Sequence, residues 1–339
     1  MSRQYWHNDN AGLHRHSDVI NYLTEEGINI IPHPPYSPDL APCDYWLNDN
    51  IKNRLTDQPD EKSLAHAKFQ LDPRFTNETS AFLRVALQNT LPPGHNLEVA
   101  AMRQGIEYLH HVCNEKFYGT FTGSLEENTV KTDSTEIPIT VYTPIDASKE
   151  KLGVYFHGGG WVIGSRKSHQ TIVNTIADAT KTIWISVEYR LAPEHKYPIW
   201  LDDCCDVTQY IIQNKTNFGV NETAKIGVAG DSAGGMIASS VARTVKNVDF
   251  QILIYATLDV IRETPSYNEF THQMYNATPE LMDWFTKHAF ETSQDLKDPR
   301  ISALYNTSLQ DVPPCLFIVA ELDALRDGNL GSEKNNIFL

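Results

Sequence analysis

The chain has 339 residues, 41% of them hydrophobic, with 28 basic against 43 acidic side chains and a formal charge of −15. That length supports one large α/β core plus an appended segment, and so negative a surface repels polyphosphate, which argues against nucleic acid as a partner. Five cysteines (Cys43, Cys113, Cys204, Cys205, Cys315) lack zinc or disulfide-framework spacing, so buried thiols in a reduced compartment are expected, with Cys315 in the core and no metal or other cofactor.

Residues 1–66 differ in character from the rest. They are rich in Asn, His and Pro, with a helix expected at Ser17–Glu26, a short strand at Ile28–Ile31 and a run from Ile31 to Pro42 that its prolines keep irregular. No apolar signal region opens the sequence and no run reaches the length of a membrane span, so a soluble, cytoplasmic chain is expected, in which sequons at Asn77, Asn214, Asn221, Asn276 and Asn306 stay unused. Helices follow at Thr76–Asn89 and Leu97–Asn114, split by Leu91-Pro-Pro-Gly94. Strands are expected at Glu136–Tyr142, Gly153–Phe156, Ile183–Val187, Ile226–Ala229, Gln251–Tyr255 and Cys315–Ala320. Helices at His169–Thr180, Pro198–Gln213 and Gly234–Val245 fall between the later strands, and that alternation predicts an α/β fold with a mostly parallel sheet covered on both faces.

Two strings carry chemistry. In Gly230-Asp-Ser-Ala-Gly234 a strand runs into a helix through glycines, which leaves room for the strained turn that exposes Ser232 Oγ. In His157-Gly-Gly-Gly-Trp161, small residues let backbone N–H groups approach a developing oxyanion, with the N–H of Ala233 as a further donor. A tight turn without chemistry is the alternative for the first string taken alone.

In order along residues 70–330, these two strings, Tyr189-Arg-Leu-Ala-Pro-Glu-His195, Asp298-Pro-Arg-Ile-Ser302 and Glu321-Leu-Asp-Ala-Leu-Arg-Asp327 resemble the hormone-sensitive-lipase branch of α/β-hydrolases, arylacetamide deacetylase-like carboxylesterases in particular. The resemblance implies a nucleophile at Ser232 that forms an acyl-enzyme, and oxyanion donors among Gly158, Gly159, Gly160 and Ala233, with Gly159 and Gly160 favoured. It also implies a triad carboxylate at Asp323, for which a helix N-cap is the alternative. Asp327, Arg190 and Glu194 are expected to be scaffold, and Trp161 either shapes the acyl pocket or packs under the oxyanion loop. Segments 74–114 and about 262–292, including a helix at Thr278–Phe290, resemble the cap over such pockets and imply a small hydrophobic ester substrate.

In that family the base is a histidine beyond the carboxylate, and none follows Asp323, the last two being His272 and His288. The expectation is therefore a hydrolase domain (67–339) lacking its last strand and helix, with impaired activity. A catalytically inactive small-molecule binder on the same fold is the alternative. Residues 6–60 resemble a mariner-type transposase fragment through His7-Asn-Asp-Asn-Ala11 and Pro32–Tyr45, with Asp9 and Asp44 matching two of that family's metal-binding carboxylates. A transposase-derived DNA-processing protein is the remaining reading, and the acidic charge weighs against it.

Overall fold

The computed structural model describes residues 5–8, 29–32, 74–76, 79, 98–114, 117, 119–272, 275, 277–303 and 312–334. At the front, β1 (Tyr5–Asn8) pairs in parallel with β2 (Asn29–Pro32). The helix expected at Ser17–Glu26, the carboxylates Asp9 and Asp44, and most of the helix expected at Thr76–Asn89 lie outside the described residues.

The main body is one seven-stranded sheet. Its strands are β3 (Ser124–Lys131), β4 (Glu136–Thr143), β5 (Ser148–Phe156), β6 (Thr182–Val187), β7 (Lys225–Asp231), β8 (Phe250–Ile254) and β9 (Cys315–Ile318), in the spatial order β3-β4-β6-β5-β7-β8-β9. The β3/β4 and β4/β6 pairs are antiparallel and the other four are parallel. Helices α1 (Val99–Asn114), α2 (Gln170–Thr180), α3 (Ile199–Gln213), α4 (Ala233–Thr244), α5 (Ser266–Glu269), α6 (Pro279–Ala289) and α7 (Arg326–Lys334) complete the body.

Side chains alternate across a strand, so both faces of this sheet can be read off the two buried clusters. Val154, Phe156, Ile183, Ile185, Val187, Val228 and Leu253 join the cluster that includes Trp200 of α3 and Ile237 of α4. Their neighbours Tyr155, Trp184, Ala229 and Ile254 join Ile172, Val173 and Ala177 of α2 on the opposite face. Burial on both sides explains why β6 is buried along its whole length and reads as a mostly apolar run, broken only by Thr182 and Ser186.

Sequence periodicity did not reveal β3. Its residues Ser-Leu-Glu-Glu-Asn-Thr-Val-Lys bury only Val130, because it lies at the end of the strand order with β4 as its partner there. Charged side chains on such an edge discourage further pairing and erase the alternation that marks a strand. Cys315 also differs from expectation. It is half-buried, as is all of β9, because β9 closes the other end of the order and has only β8 as a partner in this sheet.

Candidate active site

Ser232 stands alone between the end of β7 and the start of α4, with φ 52° and ψ −120°. A non-glycine residue there costs about 1–3 kcal/mol and persists only where its surroundings fix it. Three backbone hydrogen bonds do so: Ser232 N–H donates to Ile254 O at 2.9 Å, and Ser232 O accepts from Thr257 N–H at 3.0 Å and Met236 N–H at 3.2 Å. A Cβ on Gly234 would land on Phe156 O, so a glycine is what lets α4 press against the end of β5. The side chain of Ser232 is left partly exposed.

The second string follows β5. Gly159, Gly160 and Trp161 take φ of 114°, 57° and 64° in succession, and Gly159 O accepts from Val162 N–H at 3.1 Å and Ile163 N–H at 3.0 Å. Trp161 is wholly buried, stacked on Trp200 at 5.6 Å and edge-on to Phe290 at 5.2 Å. It packs in the core with those two rings. Among the described residues no acceptor engages the N–H groups of Gly159, Gly160 or Ala233. Gly158 is a correction: its N–H donates to Asp231 Oδ1 at 2.9 Å, so that amide is already committed and is not an oxyanion donor.

Behind the loop lies a buried polar cluster that the motifs did not announce. Asp231 accepts from Tyr155 O–H at 2.7 Å as well as from Gly158 N–H, and its other oxygen faces His169 Nε2 at 3.3 Å. The charge of His169 and these hydrogen bonds outweigh burial and hold the Asp231 carboxyl down at about 2, and Asp231 in turn pushes His169 up against its own desolvation. His157 Nδ1–H donates to Gly158 O at 2.8 Å, its ring stacks on Tyr189 at 4.4 Å, and its Nε2 has no partner. Burial holds His157 down at about 4, with the neighbouring His169 charge acting the same way. His110 of α1 is likewise held at about 4 by burial, with Nδ1 2.9 Å from Ser168 O.

Above the loop sit α6 and α1. On α6, Met282, Phe285 and Ala289 are buried, and a Cβ on Gly160 would fall on the Phe285 ring. Thr278 caps the helix by accepting from Leu281 N–H at 3.3 Å, with Pro279 at its first turn. From α1, Arg103 donates to Val162 O at 2.8 Å and Ala192 O at 2.7 Å and pairs with Glu194 at 2.7 Å. Arg190 pairs with the buried Asp203 at 2.6 Å. Arg190 and Glu194 thus tie helices to loops, the scaffold role expected of them.

Asp323 follows β9, two strands from the elbow and at the same end of the parallel sheet. Its Oδ1 accepts from Leu325 N–H at 3.0 Å, and Ser266 Oγ on α5 donates to Ala324 O at 2.6 Å, which steadies the loop. Burial pushes the Asp323 carboxyl up to about 6, a rise that Leu325 N–H and Arg326 offset only in part. The first bond is a local turn ahead of α7, the kind of contact the capping alternative calls for. Asp327 pairs with Arg326 at 2.8 Å, a structural contact. Among the described residues no hydrogen bond joins a histidine to Ser232 or Asp323: His288 Nδ1 is bound to Trp284 O at 2.7 Å, and His272 is exposed.

No group of three or more metal-binding side chains occurs among the described residues, and no helix among them is long and apolar enough to cross a membrane. Residues 153–334 match the α/β hydrolase fold family. A carboxylesterase of Mycobacterium tuberculosis is 35% identical over 218 residues, covering 60% of this chain and 66% of that protein. An ethyl acetate hydrolase of Pseudomonas putida is 29% identical over 204 residues, covering 58% and 64%. The chain thus spans somewhat less than two thirds of the length of these curated relatives. A solved esterase from Pyrobaculum calidifontis superposes with a TM-score of 0.68 at 33% identity, covering 74% of this chain and 83% of that one. The family match, the strand order and the serine elbow beside a glycine loop agree, and the chain belongs to the α/β-hydrolase family.

Proposed function

We propose that this chain is a serine hydrolase of small, hydrophobic carboxylic esters. The observation that carries the reading is the pairing of Ser232, held at the tip of a strained turn, with the unengaged N–H groups of Gly159, Gly160 and Ala233. Ser232 Oγ attacks the ester carbonyl and passes its proton to a base. The oxyanion is held by those amides, the alcohol leaves, and water releases the acyl group from the serine. Asp323 is the carboxylate that orients the base. The buried apolar face of α6 beside the glycine loop and the ester-cleaving names of the relatives support an apolar ester.

No histidine follows Asp323 within these 339 residues, and triad members act as a unit, so the test of the nucleophile provides a base from outside. Hydrolysis of p-nitrophenyl acetate and butyrate is followed for the chain and for Ser232→Ala, with and without free imidazole. The expected result is a slow rate that imidazole raises above the Ser232→Ala background. Equal rates from the two proteins under both conditions would overturn the nucleophile. The alternative reading is an inactive binder on the same fold, since no histidine is hydrogen-bonded to Asp323 among the described residues, and saturable ligand binding with no imidazole-rescued turnover would establish it. The transposase-like character proposed for residues 6–60 is tested by metal-dependent nicking of DNA, whose absence closes it.

A further inference from the structure

The residue before the nucleophile is engaged elsewhere. Asp231, at the end of β7, turns toward the α2 face and reaches back to the glycine loop. One oxygen holds Gly158 N–H at 2.9 Å and Tyr155 O–H at 2.7 Å, and the other faces His169 Nε2 at 3.3 Å. Gly158 immediately precedes the two glycines whose amides are unengaged, and a Cβ at Gly158 would land on Asp231 Oδ2, so the carboxylate and the loop backbone are in direct contact. Both Asp231 and His169 are almost fully buried, at 4% exposure each. A carboxylate removed from water this far keeps its charge only if a cation and hydrogen bonds face it.

We propose that His169 is a positioning residue for the oxyanion loop: its imidazolium fixes the Asp231 carboxylate, which grips Gly158 N–H and keeps the Gly159 and Gly160 amides turned toward Ser232. The catalytic part of this inference rests on the ester-hydrolase reading, and the clamp itself does not. His169 Nδ1 is 3.3 Å from Ser165 O and 3.0 Å from Ser168 Oγ. A carbonyl only accepts, so Nδ1 carries a proton, and Nε2 is the nitrogen whose proton faces Asp231. The groups around the imidazole are Asp231 from β7, His157 from the loop after β5 (ring centroids 5.4 Å apart), His110 of α1 (5.2 Å), Glu107 of α1, and the Ser165 and Ser168 turn. His157 and His110 are held neutral, leaving His169 as the cation among the three imidazoles.

The clamp has a signature that packing alone lacks. When His169 loses its proton, Asp231 becomes an unpaired buried anion and its grip on Gly158 changes. In Asp231→Asn, Oδ1 can still accept from Gly158 N–H while the amide donates to a neutral His169 Nε2, so the shape survives without the charge. Amide exchange at Gly158, corrected for intrinsic base catalysis, is measured from pH 6 to 10 on the intact chain, on Asp231→Asn and on His169→Ala. Expected are protection in the wild type that falls about tenfold or more as pH rises through the His169 titration, a flat profile in Asp231→Asn, and lost protection in His169→Ala. A pH-independent wild-type profile, or a wild-type-like profile in Asp231→Asn, overturns the proposal. Should His169→Ala not fold, the wild type and Asp231→Asn decide it. In the imidazole-supplemented ester assay, folded His169→Ala is expected to lose about tenfold to a hundredfold in kcat with KM changed less than about threefold, and an unchanged kcat overturns the catalytic part. If the wild type shows no Ser232-dependent hydrolysis, the functional reading has failed and the exchange data still judge the clamp.

Discussion

Acid should destabilise this fold through His157, by an amount its surroundings set. The ring is fully buried, Nδ1–H is bound to Gly158 O and Nε2 has no partner, so a second proton would create a cation with nothing to receive it. Its pKa falls from 6.5 to about 4. As pH drops below 6.5 the unfolded chain binds a proton that the folded chain refuses, so stability declines with pH through that window and the loss is complete below about 4. From the two pKa values the loss is about 2 kcal/mol at pH 5 and about 3 kcal/mol at pH 4 relative to pH 8, a large share of a typical net stability of roughly 5–15 kcal/mol. Other carboxylates titrate across the same range, so the measurement is a difference. Urea unfolding is recorded for the wild type and for His157→Asn, whose amide keeps a donor for Gly158 O and does not titrate. The variant carries a constant packing penalty, and its deficit should shrink by about 2 kcal/mol between pH 8 and pH 5. A deficit that stays constant with pH would refute the argument that this imidazole is buried neutral.

Three further outcomes follow from the same geometry. Ser232→Gly should be more stable than Ser232→Ala by about 1 kcal/mol in urea melts, because glycine relieves a φ of 52° that alanine does not, and equal midpoints would show that the turn stores no strain. Gly160→Ala should cost stability and abolish any Ser232-dependent hydrolysis, because the new Cβ meets the Phe285 ring at a φ of 57° that disfavours it, and adding Phe285→Ala should not restore activity, because that φ remains unfavourable; full recovery in the double variant would mean that sterics alone matter. Asp323, with a pKa raised to about 6, disfavours folding when ionised, a penalty of about 2 kcal/mol after discounting its partial exposure that is present above pH 6 and relieved as pH falls toward the ordinary carboxylate range. Asp323→Asn should therefore gain on the wild type above pH 6 and lose that gain by about pH 4; a difference independent of pH would count against it.

The sequence conveyed whatever depended on period and on small residues. Strands β5 to β8 and helices α2 to α4 were legible because each buries a regular stripe or a whole face, and the elbow and glycine loop because close backbone approach admits few residue types. Less legible were elements whose role lies in being exposed, such as β3, and contacts between distant segments. Arg103 donates to carbonyls 59 and 89 residues away, and nothing in its local pattern marks it. Gly158 shows the limit most clearly: the sequence favours its two successors as donors without saying where its own amide goes, and only the carboxylate brought over by β7 shows that amide committed elsewhere.

That commitment gives the residue before the nucleophile a reason of its own. Strand alternation sends Asp231, with Ala229, to the α2 face of the sheet. On one side Ser232 meets the carbonyl. On the other, Asp231 and His169 hold the backbone that follows β5, with His110 reaching Ser168 from α1 and so linking that helix to the same cluster. On the proposed ester-hydrolase reading, nucleophile and oxyanion donors follow different strands, β7 and β5, and differential stabilisation of the transition state requires their separation to be fixed before substrate arrives. The buried ion pair meets that requirement by joining the end of one strand to the backbone that follows the other. A buried pair offsets its own desolvation only in part, but removing one partner leaves the other charge buried without it, so loss of His169 should lower the unfolding midpoint as well as kcat and Gly158 protection, and the pH dependence of Gly158 exchange is what separates the clamp from packing.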